Sequence, residues 1–313
     1  MYTSKDKLMQ FKQFDAVVDY GDHHFAAQNQ SGKLPISKTA TKKIMQEWKI
    51  LEESLPETIF VRVYESRIDL LRACIIGPNG TPYQDGLFFF DICFGCDYPS
   101  KPPKVHYRSY GMRINPNLYE TGLVCLSLLN TWLGNNKSER WDPSKSTILQ
   151  VLVSIQALVL NEKPYYNEPF IPSALFGRHY KEKKSMSYSE DVFVLCCKTM
   201  IFLLSRPPSH FKGFVAQHFK DRAEAVLMNC RACLEVSSNR RKASKRFAAG
   251  MDVVYPQLVT AFEKNGSSLG HFIKHLDKKE KEKEKCESKA IMKKKKKSGL
   301  MSKLKRLLGV GKV

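Results

Sequence analysis

The residues of this chain best suited to covalent chemistry are its nine cysteines. A thiol is a useful nucleophile where it is partly exposed and its thiolate accessible; in a strand or a helical stripe it is a small hydrophobe. Cys74 and Cys93 fall in β-rich runs, Cys196 and Cys197 in one helical pattern, and Cys230 and Cys233 in another, so packing is the role expected of all six. Cys286 lies in a Lys/Glu-rich run. The pairs Cys93/Cys96 and Cys230/Cys233 have the two-residue spacing of zinc ligands, but they stand 134 residues apart in elements that read as strand and helix, which argues against a metal site. The adjacent His23 and His24 have no cysteine or carboxylate cluster at ligand spacing and read as a solvated loop. Cys125 is different. The run from Asn115 and Pro116 through Asn117 to Gly122 supplies a rigid turn, an amide side chain and a glycine just ahead of the thiol. Cys125 is therefore the candidate nucleophile, expected to present a partly exposed sulfur.

The elements that must position this thiol follow from periodicity and punctuation. Ile44, Trp48 and Leu51 recur at helical spacing from Thr39, and Pro56 stops the run. Residues 59–64, 68–76, 86–94 and 105–107 are β-rich and separated by turn signals, the strongest being Gly77-Pro78-Asn79-Gly80. Residues 108–141 are long, Gly/Asn/Pro-bearing and aperiodic, which inside a domain marks a functional loop, and this loop holds Cys125. Helical patterns then return over 146–160, 190–204 and 208–234, the last with a break expected near Lys220. The expected fold class is α+β: an N-terminal helix, a four-stranded antiparallel meander, an active-site loop and C-terminal helices. Residues 1–38, polar apart from an apolar patch at 11–18, are expected to be a flexible arm, residues 39–235 the domain, and residues 236–313 a basic, largely disordered tail.

The run from Asn115 to Leu126 resembles the active-site segment of ubiquitin-conjugating enzymes, where a His-Pro-Asn tripeptide precedes the reactive cysteine; the Asn117-to-Cys125 interval of eight matches. Three further segments resemble the family in the same order: Gly77 to Gly86, the proline-rich Tyr98-Pro99-Ser100-Lys101-Pro102-Pro103, and Trp141-Asp142-Pro143-Ser144 with the helix after it. The runs Asn115-Pro116-Asn117-Leu118-Tyr119, Cys125-Leu126-Ser127-Leu128-Leu129-Asn130-Thr131-Trp132 and Lys163-Pro164-Tyr165-Tyr166-Asn167-Glu168 are similar to the large atypical members, the O-type, apollon-like and plant phosphate-signalling relatives.

The resemblance implies a thiol relay without metal or organic cofactor. Cys125 accepts ubiquitin from an activating enzyme as a thioester and passes it to a substrate lysine, with or without a ligase. Asn117 is the candidate amide donor to the oxyanion, or a turn-stabilising amide, and the two roles can coexist. Glu168 is the candidate for lysine activation, with Tyr165, Tyr166 and Asn167 beside it and a plain loop acid as the competing reading. Asn115 stands where the family usually has histidine, and Pro116 stiffens the turn. The loop between Cys125 and Trp141 is enlarged, and its proximity to the thioester makes it a candidate for shaping which lysine approaches. Ligase docking would use 42–49, Ser100, Lys101, Pro102, Asp142 and Pro143; Ser100 replaces the large apolar anchor of many relatives, which puts ordinary docking in doubt. The rival reading is a ubiquitin-binding scaffold of the same fold, against which the presence of Cys125 argues.

The formal net charge of +20 does not belong to this domain. From Val236 onward there are 22 basic and 7 acidic side chains; the preceding residues carry 29 against 24. No run is long and apolar enough for a spanning helix, the N-terminus lacks a signal-like apolar stretch, and an odd cysteine count reads as reduced thiols, so an intracellular protein, cytoplasmic or nuclear, is expected. The five lysines at 293–297 and the amphipathic pattern after them leave nuclear import, weak anionic-membrane contact and simple solubilisation in competition. Specific nucleic-acid binding is not expected, since no aromatics are interleaved with the charge.

Overall fold

In the computed structural model, which describes residues 11–27, 37–132, 137–167, 178–239, 244–270 and 272, five strands form one sheet in sequence order. They are β1 (Phe14–Val17), β2 (Ile59–Tyr64), β3 (Leu70–Ile76), β4 (Leu87–Cys93) and β5 (Lys104–Tyr107). β2 to β5 are the expected antiparallel meander, with Val61 opposite Ala73, Arg72 opposite Asp91 and Ile92 opposite Val105. The fold is α+β, as the sequence implies, but the sheet is mixed. β1 is added parallel to β2, with Phe14 opposite Val61.

The two-residue period of the central strands divides them between two layers. Val61, Val63, Leu71, Ala73, Ile75, Phe88, Phe90 and Ile92 join a core with Ile44 and Leu51 of α1 (Lys38–Ser54) and with Ile148, Val151 and Leu152 of α2 (Ile148–Ser154), which runs on through a π-turn at Ile155–Val159. The alternate residues face the other way. Phe60 and Phe89 pack on Phe11, Phe211 and Phe214, the last two at the start of α4 (Lys212–Asn239). With both faces covered, β2 and β4 are buried along their whole length.

Several expectations are corrected. Described residues of the expected flexible arm are tied into the sheet: 14–17 are β1, and the segment after it is pinned by charge. Arg72, fully buried, bonds Asp91 at 2.6 and 2.9 Å and Asp22 at 2.7 Å, and Asp22 accepts from the Ser209 backbone at 3.0 Å. Of the histidine pair, His24 is exposed in a turn as expected, but His23 is not solvated. His23 is buried and neutral: Nε2–H donates to the Leu71 carbonyl at 3.1 Å and Nδ1 accepts from the Phe25 amide at 3.2 Å, while His24 stacks on His106 with ring centroids 3.4 Å apart. Burial pushes both His23 and His106 down, His106 to about 4.

The C-terminal half also departs from the pattern reading. α3 (Arg178–Ser205) begins twelve residues earlier than expected, α4 runs through Lys220 without a break, and α5 (Lys245–Lys264) lies inside the expected disordered tail. α5 is capped by Ser244, whose hydroxyl accepts from the Phe247 amide and donates to Glu190, and it packs against α3 through a buried stripe at Phe247, Met251, Val254, Leu258 and Phe262. Residues 1–267 form one compact unit and 268–313 another. The lysine run at 293–297 and the amphipathic pattern beyond it lie outside the described residues. No helix among the described residues is long and apolar enough to cross a membrane.

Candidate active site

After β5 the chain leaves the sheet, turns, and comes back along the edge it has left. The Tyr107 amide donates to the Gly122 carbonyl at 2.8 Å, and His106 bridges Leu123. Gly122 has φ +90°, and a Cβ there would lie 2.0 Å from the His106 ring, so only glycine lets the loop approach. Three residues on, the interval from Asn117 to Cys125 proves to be a pairing register. The Cys125 amide donates to the Asn117 carbonyl at 2.9 Å, and Asn117 Nδ2 donates to the Cys125 carbonyl at 3.0 Å. The amide of Asn117 is thus engaged with backbone in this structure, which is the turn-stabilising arrangement.

Asn115 is the centre of the supporting network and is fully buried. Its Nδ2 donates to the Tyr83 hydroxyl and to the Val159 carbonyl, both at 2.7 Å; its Oδ1 accepts from the Asn117 amide at 2.8 Å and from Asn167 Nδ2 at 3.4 Å. Asn167 also donates to the Val159 carbonyl at 3.0 Å. The loop, the turn before β4, the π-turn and the segment 164–167 therefore meet on one side chain. Pro116 is buried beside it.

Cys125 lies where this network delivers it, but not on an open rim. The residue is 7% exposed, and its Sγ donates to the Thr131 carbonyl at 3.5 Å. The expectation of a partly exposed sulfur is corrected: the turn that follows folds back over it. Burial pushes the thiol above its ordinary range, while the Tyr119 hydroxyl and the Arg113 guanidinium pull it down. Arg113 stacks over the Tyr119 ring, 4.4 Å from its centroid. Neither residue, nor Thr131 or Tyr83, stands out in the sequence as a site residue, because none forms a charged or metal-binding pattern there. Among the described residues no cluster of three or more His, Cys, Asp or Glu could hold a metal ion.

Comparison with known proteins decides the family. The ubiquitin-conjugating enzyme family profile matches residues 43–193. A putative ubiquitin-conjugating enzyme E2 38 of Arabidopsis thaliana is 48% identical over 273 residues, covering 83% of this chain and 83% of the relative. The chain belongs to the ubiquitin-conjugating enzyme family. Its relatives place it in the atypical subgroup: probable ubiquitin-conjugating enzyme E2 26 of Arabidopsis thaliana is 49% identical over 83% of this chain and 50% of its own length, and the human dual E2 ubiquitin-conjugating enzyme/E3 ubiquitin-protein ligase BIRC6 is 35% identical over 73% of this chain and 5% of its own. Several of the curated relatives it matches are longer, and the chain spans 29 to 50% of three of them.

In this chain the three segments expected to meet a ligase are joined from below. Glu47 of α1, fully buried, accepts from the Tyr98 hydroxyl at 2.9 Å and from the Ile148 amide at 2.9 Å, and lies 3.6 Å from Lys43. Trp141 donates to the Pro99 carbonyl at 2.7 Å. Ser100, Lys101 and Pro143 are exposed, and Pro102 and Asp142 half-buried, on the surface this arrangement fixes. Tyr165 is half-buried and Tyr166 exposed, their rings 5.4 Å apart. Glu168 lies outside the described residues, as do residues 133–136 of the enlarged loop.

Proposed function

We propose that this chain carries ubiquitin as a thioester on Cys125 and transfers it to lysine amines of protein substrates. The observation that carries the reading is the placement of Cys125 by the Asn117 register inside a family-matched domain. The partners this implies are ubiquitin, an activating enzyme, protein substrates and, through the Ser100 and Asp142 surface, a ligase. In loading, the Cys125 sulfur forms a bond to ubiquitin's terminal carbonyl carbon as the activating enzyme's thiolate departs and takes up the proton. In transfer, the lysine nitrogen forms the new bond, the Cys125 thiolate departs, and the ammonium proton goes to a base. Glu168 is assigned the role of that base, and Asn117 that of fixing the loop and donating to the oxyanion as the carbonyl turns tetrahedral.

The test is a charging assay with activating enzyme, ATP and ubiquitin. A reductant-sensitive adduct is expected in the native chain, absent in Cys125→Ala and replaced by a reductant-stable ester in Cys125→Ser. An adduct that survives in Cys125→Ala, or no adduct at all, overturns the reading. The lysines at 293–297 are proposed to direct the chain to the nucleus. Replacing all five with glutamine is expected to shift its distribution to the cytoplasm, and an unchanged distribution overturns this.

A further inference from the structure

The covering over Cys125 is held by the Thr131 side chain, with a longer bond from the Thr131 amide to the Leu126 carbonyl at 3.4 Å beside it. Residues 127–129 form a single tight helical turn, and Asn130, with φ +54°, reverses the chain so that Thr131 returns to the cysteine. The Thr131 hydroxyl then bonds the backbone on both sides of Cys125: it donates to the Val124 carbonyl at 2.6 Å and accepts from the Leu126 amide at 2.9 Å. The Thr131 carbonyl in turn accepts the Cys125 S–H at 3.5 Å. A carbonyl oxygen only accepts, so this contact stabilises the protonated thiol and has nothing to offer the thiolate.

The opposite bias is built into the other side. The Arg113 guanidinium, which lies over the Tyr119 ring, and the Tyr119 hydroxyl both favour negative charge there. Beside the latch a groove of ≈ 1010 Å³ runs between the proline-rich loop and the cysteine loop, lined by Pro102, Pro103, Leu123, Val124, Leu129 and Thr131. Its wall therefore includes the residue that precedes Cys125 and the residue that covers it.

We propose that Thr131 is a positioning residue that latches residues 126–132 over Cys125, so that the sulfur reacts only when the Thr131 hydroxyl releases Val124 and Leu126. Opening removes the carbonyl cover, turns the sulfur toward the groove and leaves it to the Tyr119 hydroxyl and Arg113. This rests on Cys125 being the acyl carrier, but the latch is read directly from thiol reactivity.

The experiment is alkylation of the full chain by iodoacetamide from about pH 6.5 to 9.5, with each cysteine followed by peptide mass spectrometry. Cys96, which is exposed, is the internal reference. Thr131→Val keeps the side-chain shape without the hydroxyl. It is expected to raise the Cys125 rate relative to Cys96 by about five- to hundredfold, the factor two such hydrogen bonds are worth. Thr131→Ser, which keeps the hydroxyl, is expected to restore the native rate. Adding Tyr119→Phe to Thr131→Val is expected to move the pH midpoint of Cys125 alkylation upward, a change that general loosening does not produce. A native rate in Thr131→Val, or a Thr131→Ser rate equal to that of Thr131→Val, overturns the proposal. Should Thr131→Val fail to fold, hydrogen exchange in the native chain decides: the Leu126 amide must open at least as fast as Cys125 is alkylated, and slower opening overturns the latch. An alkylated but unchargeable Cys125 would instead sink the acyl-carrier reading and leave the latch standing.

Discussion

An amide side chain can donate twice and accept twice, and Asn115 does all four inside the protein. A neutral imidazole has one donor and one acceptor, so histidine at 115 would leave two of these partners unmatched. Asn115→Ala removes all four bonds and strands the Asn117 amide, while the Val159 carbonyl keeps only its bond from Asn167. We expect it to cost about 2–4 kcal/mol, with Asn115→His in between, read from urea midpoints at constant slope. Asn117 makes a different prediction, because its amide is already bonded to the Cys125 carbonyl. Asn117→Ala is expected to lower stability by about 1 kcal/mol and to slow lysine discharge more than charging. A loss of about 10²- to 10³-fold confined to discharge would show that oxyanion donation dominates. At this scale the sequence was informative where spacing is itself a bond: the eight-residue interval is the Asn117–Cys125 pair. It was silent on the burial of Cys125, because the cover comes from a threonine six residues later whose type suggests no chemistry.

Among the elements, the meander was legible because each strand ends at a turn whose residues enforce it, as at 77–80. β1 was not. It is four residues long, pairs in parallel with a strand more than forty residues away, and is held by groups that look out of place in apolar runs. Arg72 and Asp91 interrupt β3 and β4, and only the three-dimensional register shows that they are one cross-strand pair reaching out to Asp22. Burial alone would raise the Asp91 carboxyl, but the hydrogen bonds and charge of Arg72 outweigh it and bring it to about 2. The unfolded chain, with Asp near 3.9, binds more protons between these values, so this pair contributes stability that is complete above about pH 5 and lost as pH falls toward 2. The melting temperature of the native chain should therefore drop across that window. Asp91→Asn should be less stable near neutral pH by about 3 kcal/mol, because Arg72 loses its fully buried carboxylate and keeps only the half-buried Asp22, and flatter with pH below 4. An equally steep acid transition in Asp91→Asn would assign the window to other carboxylates.

For the whole molecule the decisive feature is where the folded unit ends. Composition places a boundary near 235 because a basic cluster follows, and Pro256 and Gly250 weaken any helical reading beyond it. The structure puts both residues inside α5: Pro256 interrupts the helix without ending it, and Gly250 faces the Val194 side chain of α3. Phe247 meets Phe193 with ring centroids 6.2 Å apart, at the same contact. Six apolar side chains of α5 are buried, and it is this removal of apolar area from water that its docking contributes to stability. A chain ending at 267 is expected to melt with the native chain, while one ending at 239 should melt about 5–10 °C lower and bind a hydrophobic dye through the uncovered face of α3. Equal melting of the two truncated chains would mean that α5 docks without stabilising the domain, and would restore the boundary that composition suggests.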